Sequence, residues 1–180
     1  MTSYGGQRSR QGGGGVRSAG GSFSGKPTYG GRERDQPDDK IANHWHDYLT
    51  NGYFDSDGNL RSDYVSRDKV EPLIHKMAHG DPKLTTGQLR RFFGHCRALE
   101  TQLKSGTATW DQLRTKFAFL DVAAADAYGK AQRKIPGLFY DFILCNVAAV
   151  KTEKDFRQGF LAHFEALVGF GSLHLQKERN

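Results

Sequence analysis

Long apolar segments are missing from this chain of 180 residues, in which no uninterrupted apolar run exceeds four residues. A membrane-spanning helix needs about 20 predominantly apolar residues, so we predict no membrane span. The apolar stretch that a secretory signal requires after its basic residues is also missing near the N-terminus. The two cysteines, Cys96 and Cys145, are far apart in apolar surroundings. This spacing offers no disulfide framework and favours a reducing compartment, so we expect a cytoplasmic protein.

Motifs that carry catalysis are missing too. The sequence has neither a Walker-type loop nor Gly-x-Gly-x-x-Gly to cradle a phosphate. His75 and His79 are four residues apart, but Lys76 stands where a zincin has glutamate. Cys96 follows His95, but adjacent helix positions point about 100° apart, and a buried structural thiol is the better interpretation. We expect no enzymatic activity, no cofactor and no metal site.

A short acidic segment resembles part of a calcium loop. Asp55, Asp57 and Asn59 have the spacing of its first three ligands. The loop also needs glycine at its sixth position and glutamate at its twelfth, where this sequence has Leu60 and Ser66. We therefore interpret the segment as an Asx turn.

Glycine and positive charge are concentrated at one end. Residues 1–34 hold half of the 22 glycines and, with six Lys/Arg against one acid, carry +5 of the formal net charge of +6. This composition is too poor in apolar residues to form a core, and it resembles the Gly-Arg segments of RNA-binding proteins. Weak nucleic-acid binding and a solubilising role are equally good interpretations. The candidate contacts are Arg8, Arg10, Arg17, Arg32 and Arg34.

Helical periodicity follows this tail. Apolar residues at helical spacing run from Ile41 to Leu49. A short helix over residues 72–79 ends at Gly80, and the sequence leaves open whether it reaches upstream through Val70 or Val65. No stretch shows the alternation that a half-buried strand requires. We divide the chain into a disordered Gly/Ser/Arg-rich tail, a helical bundle domain and a polar C-terminal end, at residues 1–37, 38–175 and 176–180.

Three more helix starts can be identified. Thr85-x-x-Gln88 and Thr109-x-x-Gln112 have the form of capping boxes, and a restart follows Ile135-Pro136. A last helix begins near Thr152 and ends near Gly169 and Gly171. We predict an all-α protein, a compact bundle of about five or six helices.

One face of the first capped helix is basic. Arg90, Arg97 and Lys104 are seven residues apart, and seven residues rise ~10.5 Å on a helix. These three residues, the cationic rail, therefore span about 20 Å, with Gly94 on the same face. Such a line of charge suits a phosphate backbone. On spacing alone, a solvated helix face is an equally good interpretation.

A second basic group lies at the end of the next helix. This loop cluster consists of Lys130, Arg133 and Lys134, and Lys83 directly precedes the first capped helix. The cluster suits phosphate binding, but it would also complement the C-terminal dipole of the helix before it.

Two segments resemble a known family. LTTGQLRRFF, residues 84–93, resembles the Leu-Thr-Thr-Ser-Gln-hydrophobic-Arg-Lys-Phe signature of the Csm-family small subunit of type III-A CRISPR effector complexes. FRQGFLAHFEALVGF, residues 156–170, is similar to the C-terminal helix of that family. The resemblance spans roughly residues 40 to 172. Gly87 stands where the family has serine, and the Gly/Arg-rich tail is not part of the family pattern.

The resemblance implies a small all-helical protein without a catalytic centre. Several copies stack head to tail along the effector and line the groove where target RNA pairs with guide RNA. The motif's cationic positions are Arg90 and Arg91, with Lys83 before them, and the cationic rail adds Arg97 and Lys104. Arg91 points to another side of the helix, where a neighbouring subunit is the alternative contact.

We therefore expect a non-catalytic subunit for antiviral defence that holds target RNA through phosphates, while base pairing with the guide gives specificity. Its expected partners are target and guide RNA, the backbone and large subunits and further copies of itself, with no membrane partner. A free-standing helical nucleic-acid binder and a protein-only scaffold are the alternatives. The candidate RNA-binding residues are Lys83, Arg90, Arg91, Arg97, Lys104, Lys130, Arg133 and Lys134.

Overall fold

Five α-helices account for most of the chain that this computed structural model describes, residues 39–176. No strand occurs within that range, only two isolated bridges, and the all-α prediction is confirmed. The predicted tail, residues 1–37, lies outside the described residues, as do residues 177–180. The helices are α1 (Arg67–His79), α2 (Thr86–Lys104), α3 (Trp110–Gly129), α4 (Gly137–Ala149) and α5 (Leu161–His174).

Shorter helical segments flank these helices. The 3₁₀ turns Ile41–Asn43 and Ser62–Tyr64 precede α1, and the π-helical segment Asp155–Phe160 leads directly into α5. None of the helices within residues 39–176 combines the length and apolar content that crossing a membrane requires.

The two predicted capping boxes are present. The backbone N–H of Gln88 donates to Thr85 Oγ1 at 3.2 Å, and the Thr85 N–H donates to Gln88 Oε1 at 2.9 Å. At the start of α3, the Thr109 N–H donates to Gln112 Oε1 at 2.9 Å. Both boxes satisfy N–H groups that a helix start leaves without intrahelical partners, so the starts of α2 and α3 were predictable from four residues each.

The predicted helical segment from Ile41 to Leu49 is wrong beyond its first turn. Regular helical geometry covers only Ile41–Asn43, and Leu49 adopts a left-handed conformation with φ 57°. The backbone N–H of Ile41 donates to Asp141 Oδ2 at 2.9 Å, and that of Leu49 donates to Tyr64 Oη at 3.2 Å. The Leu49 N–H thus makes a tertiary hydrogen bond in place of a helical one, which the spacing of apolar residues could not reveal.

The structure decides the ends of two helices. α1 begins at Arg67, upstream of residues 72–79, which settles the start that the sequence left open, and it ends before Gly80 as predicted. α5 continues to His174 instead of ending near Gly169 and Gly171. A Cβ atom at Gly171 would lie 3.1 Å from a methyl group of Leu89. This glycine therefore allows α5 to pack closely on α2 and does not end the helix.

Phenylalanine dominates the core. Phe139 and Phe142 of α4 and Phe164 of α5 are fully buried, and the Phe142 and Phe164 ring centroids are 5.4 Å apart. Burying such a side chain stabilises the fold by about 1.5–3 kcal/mol. Helix α5 packs on α1 and α2, and α3 packs on α4 and α2. This arrangement leaves one side of α2 exposed to solvent.

Buried polar groups attach the segment before α1 to the helices. Tyr53 Oη donates to Asn146 Oδ1 at 2.7 Å, and Asn146 Nδ2 donates to Tyr48 Oη at 2.6 Å. His163 Nδ1 donates to the Tyr64 carbonyl at 2.6 Å, while Nε2 accepts from Tyr48 Oη at 2.9 Å. Burial lowers the pKa of His163 to about 4, so the ring is neutral at pH 7. We name these five residues the buried polar network.

Candidate nucleic-acid interface

The cationic rail lies on the exposed side of α2. Arg90, Arg97 and Lys104 are all exposed, and Gly94 is exposed among them. A Cβ atom at Gly94 would meet nothing within 4 Å, so no other part of the described chain covers the helix at this residue. The surface around Gly94 is therefore open to a ligand.

A carboxylate that the sequence analysis missed binds two members of the rail. Arg97 Nη1 lies 2.7 Å from Glu100 Oε2, and Lys104 Nζ lies 2.6 Å from Glu100 Oε1. The Glu100 side chain is only 9% exposed. Its positions three residues after Arg97 and four before Lys104 place all three on one helix face. The spacing could have revealed this contact, but not the burial.

Arg97 has a further contact that restrains it. Its guanidinium carbon lies 5.9 Å from the centroid of the Phe93 ring, which packs edge-on against Phe164 at 5.3 Å. Cations within about 6 Å of an aromatic face are attracted to it. Arg90 differs from Arg97, because within residues 39–176 it has no ion-pair partner.

Part of the loop cluster lies against the start of α2. Gln88 Nε2 donates to the backbone carbonyl of Lys134, while the oxygen of the same amide closes the capping box with Thr85. Lys134 and Lys83 are both exposed. Two basic groups that are about 50 residues apart in sequence are thus brought to the same end of α2.

The other two residues of the loop cluster are held by their neighbours. Lys130 Nζ lies 2.7 Å from Asp126 Oδ2. The Arg133 guanidinium lies over the Tyr128 ring at 4.5 Å, and that ring stacks on Tyr140 at 4.8 Å. Lys134 is therefore the more accessible cation of this cluster.

Arg91 lies on a different side of α2. It borders a groove of about 190 Å³ between α2 and α3 whose walls are mostly apolar. Phe119 and Val122 of α3 are 59% and 58% exposed, a high value for large apolar residues. Arg91 thus neighbours an apolar surface and does not extend the rail. The groove is lined by Arg91, Phe92, His95, Phe119, Leu120 and Ala123.

The acidic segment forms the predicted Asx turn. Asp55 Oδ1 accepts the backbone N–H groups of Asp57 at 3.0 Å and of Asn59 at 2.8 Å. Gly58 has a φ of 79°, a conformation that glycine adopts without strain. This oxygen is therefore committed to the turn.

The histidine pair on α1 is stacked. The ring centroids of His75 and His79 are 4.3 Å apart, and His79 Nδ1 contacts the His75 carbonyl at 2.8 Å. Among residues 39–176, no group of three or more His, Cys, Asp or Glu side chains is arranged to hold a metal ion. The geometry gives no reason to assign a metal to this pair.

Both thiols are protonated at neutral pH. Burial raises the pKa of Cys96 to about 12, and burial together with the nearby Asp141 carboxylate raises that of Cys145 to about 11. His95 lies on the surface, with Nε2 3.1 Å from the Lys116 carbonyl. Since a thiolate is the reactive form of cysteine, these environments favour a structural role.

Comparison with known families gives one match. The family model described as Csm2 Type III-A matches residues 70–177, which include all eight candidate RNA-binding residues. No curated protein and no solved structure gives a significant match. Because the match covers more than half of the 180 residues, this chain belongs to the Csm2 Type III-A family, the non-catalytic small subunit of the type III-A CRISPR effector complex.

Proposed function

We propose that this subunit holds target RNA along the guide–target groove through phosphate contacts that do not depend on sequence. The observation that carries this proposal is the open basic end of α2. There Arg90 is exposed and without an ion-pair partner among the described residues, and Lys83 and Lys134 are exposed at the start of the same helix. Cations without carboxylate partners are available to phosphates, whose neutralisation dominates nucleic-acid affinity.

Specificity would come from the guide. Phosphate contacts position a nucleic acid but carry no sequence information, while Watson–Crick pairing between guide and target supplies it. An isolated copy should therefore bind RNA weakly and with marked salt dependence. Stacking of several copies along one RNA would raise the avidity without any new type of contact.

The exposed apolar surface of α3 supports stacking. A head-to-tail contact joins two different surfaces of neighbouring copies, and apolar patches mark such surfaces. The exposed residues Phe119 and Val122 of α3 make up the α3 patch, while Leu173, 63% exposed, lies on α5. α3 packs on α4 and α2, and α5 packs mainly on α1 and α2. We propose the α3 patch as one side of the contact and the end of α5 as the other.

The remaining partners follow from the family. We propose that the backbone and large subunits bind this chain in the effector, that guide RNA lies close to it, and that the complex is cytoplasmic. The α3 patch also leaves the protein-only scaffold as a second candidate, since that function needs an apolar surface and no RNA.

A binding experiment separates these functions. Binding of single-stranded RNA and of a guide–target duplex is measured across a salt series for the full chain, for the triple variant Arg90→Ala/Arg97→Ala/Lys104→Ala and for a deletion of residues 1–34. We expect the triple variant to bind about tenfold more weakly and with a flatter salt slope. The control variant Lys69→Ala/Lys76→Ala/Lys116→Ala removes the same charge elsewhere.

Two outcomes would contradict RNA binding by the helix. If only the deletion weakens binding, the tail is the nucleic-acid element and the bundle is a scaffold. If both triple variants weaken binding equally, the effect reflects net charge and not the rail.

A further inference from the structure

We propose that Glu100 attenuates RNA binding by occupying two of the three cations of the rail. The inference rests on the proposed function, since it concerns the same surface. It makes Glu100 a regulator of affinity: a carboxylate with which each RNA phosphate must compete before it reaches Arg97 or Lys104.

The geometry of Glu100 is suited to this role. Each of its two oxygens contacts a different cation, at 2.7 Å for Arg97 and 2.6 Å for Lys104. Exposed ion pairs on helices contribute little, because water and salt screen them. The Glu100 side chain is only 9% exposed, while those of Arg97 and Lys104 are 47% and 55% exposed. The anion is thus shielded from solvent, and both cations turn toward it.

This contact divides the rail into two unequal parts. At the N-terminal end of α2, Arg90 lacks an ion-pair partner within the described range. At the C-terminal end, two cations share one carboxylate, so the rail presents a formal charge of +2 although it contains three cations. A free copy would then bind RNA mainly at the N-terminal end of α2. In a stacked assembly, a phosphate held close by neighbouring copies could displace the carboxylate.

The size of the effect follows from counterion release. Each phosphate contact to a single strand adds about 0.7 to the slope of log affinity against log salt concentration. Releasing two cations would add at most about 1.4 to the slope. Across a fourfold change in salt, this addition corresponds to about a sevenfold change in affinity. Such an effect is readily measured.

The test uses the full chain and an unstructured single-stranded RNA. Glu100→Gln removes the charge and keeps the shape of the side chain. Glu153→Gln is the matched control, because Glu153 contacts Arg157 at 2.8 Å with the same spacing of four residues and its change raises the net charge equally. We expect Glu100→Gln to tighten binding several-fold at low salt and to steepen the salt slope by about one, and Glu153→Gln to change neither.

A second pair of measurements separates the attenuation from the proposed function. In an Arg97→Ala/Lys104→Ala background, Glu100→Gln should have no effect beyond that of Glu153→Gln. If the triple variant Arg90→Ala/Arg97→Ala/Lys104→Ala leaves RNA affinity unchanged, the proposed RNA site is wrong. If the triple variant weakens binding, but Glu100→Gln in the unaltered chain binds no more tightly than its control Glu153→Gln, only the attenuation is wrong.

Folding is checked by thermal unfolding followed by circular dichroism. Should Glu100→Gln fail to fold, Glu100→Asp carries the test, because it keeps the charge but withdraws the carboxylate by one methylene group. We expect Glu100→Asp to tighten binding by a smaller factor than the several-fold expected for Gln. Unchanged or weaker binding by a folded Glu100→Asp protein would overturn the inference.

Discussion

The buried polar network and the exposed surface of α2 satisfy their polar side chains differently. In the buried polar network, the tyrosine hydroxyls, the Asn146 amide and the His163 ring are all hydrogen-bonded to one another or to the backbone. On the surface of α2, cations outnumber their carboxylate partners, and Arg90 has none among residues 39–176. Satisfied groups contribute to the fold, whereas unsatisfied charges remain available to a partner. The following changes test this distinction.

The largest effect is expected from Asn146→Ala. This change removes the acceptor of Tyr53 and one donor to Tyr48, and it leaves a cavity. Leaving buried polar groups without partners costs about 1–3 kcal/mol each, so we expect a loss of about 3 kcal/mol in the free energy of unfolding. Urea unfolding measures it, with the exposed Asn51→Ala as control. Equal midpoints for the two variants would show that the network does not stabilise the fold.

Lowering the pH should break the same network. The folded-state pKa of His163 is about 4, below its ordinary value of 6.5. The contribution of the neutral His163 ring to the free energy of unfolding is therefore complete above pH 6.5. It is lost as the pH falls toward 4, by about 3 kcal/mol in total. The difference in unfolding free energy between pH 7 and pH 4 measures this loss. His163→Gln should reduce the pH dependence, and an unchanged profile would contradict the assignment.

A smaller loss is expected at the start of α2. Gln88→Ala removes the capping box and also the tether to Lys134, and should cost about 1–2 kcal/mol. Gln112→Ala removes the capping box of α3, and no hydrogen bond joins Gln112 to a distant loop in the described structure. We expect it to cost less. Thermal unfolding compares the two variants, and only Gln88→Ala should weaken RNA binding as well. Equal effects on both properties would argue against a tethered basic loop.

The smallest effect is expected on the surface itself. Arg90→Ala should weaken RNA binding several-fold and reduce the salt slope by about 0.7, with no loss of stability. Lys104→Ala should have a smaller effect, because that cation is already paired with Glu100. Titrations of both variants and of Lys76→Ala, an exposed cation on α1, test this order. A larger effect of Lys104→Ala than of Arg90→Ala would show that RNA binds mainly at the C-terminal end of α2.

The sequence alone predicted the features that depend on residues close together in the chain. The Thr85 and Thr109 capping boxes fixed two helix starts, and seven-residue spacing placed the rail on one exposed face. Long-range packing decided the rest. Ile41 and Leu49 give their N–H groups to distant side chains, and Gly171 meets Leu89, so neither the turns before α1 nor the true end of α5 could be deduced. The ion pairs of Glu100 were readable from spacing, but its burial depends on the whole bundle.

The two side-chain hydrogen bonds of Gln88 limit which residues this position can accept. Glutamate serves a capping box as well as glutamine does, and at Gln112 the exchange should be neutral. At position 88 the amide nitrogen also donates to the Lys134 carbonyl, and a carboxylate has no proton to give. The substitution Gln88→Glu would keep the helix start, repel the carbonyl and release the basic loop. To close the capping box and hold the Lys134 loop together, the side chain at position 88 therefore has to be an amide.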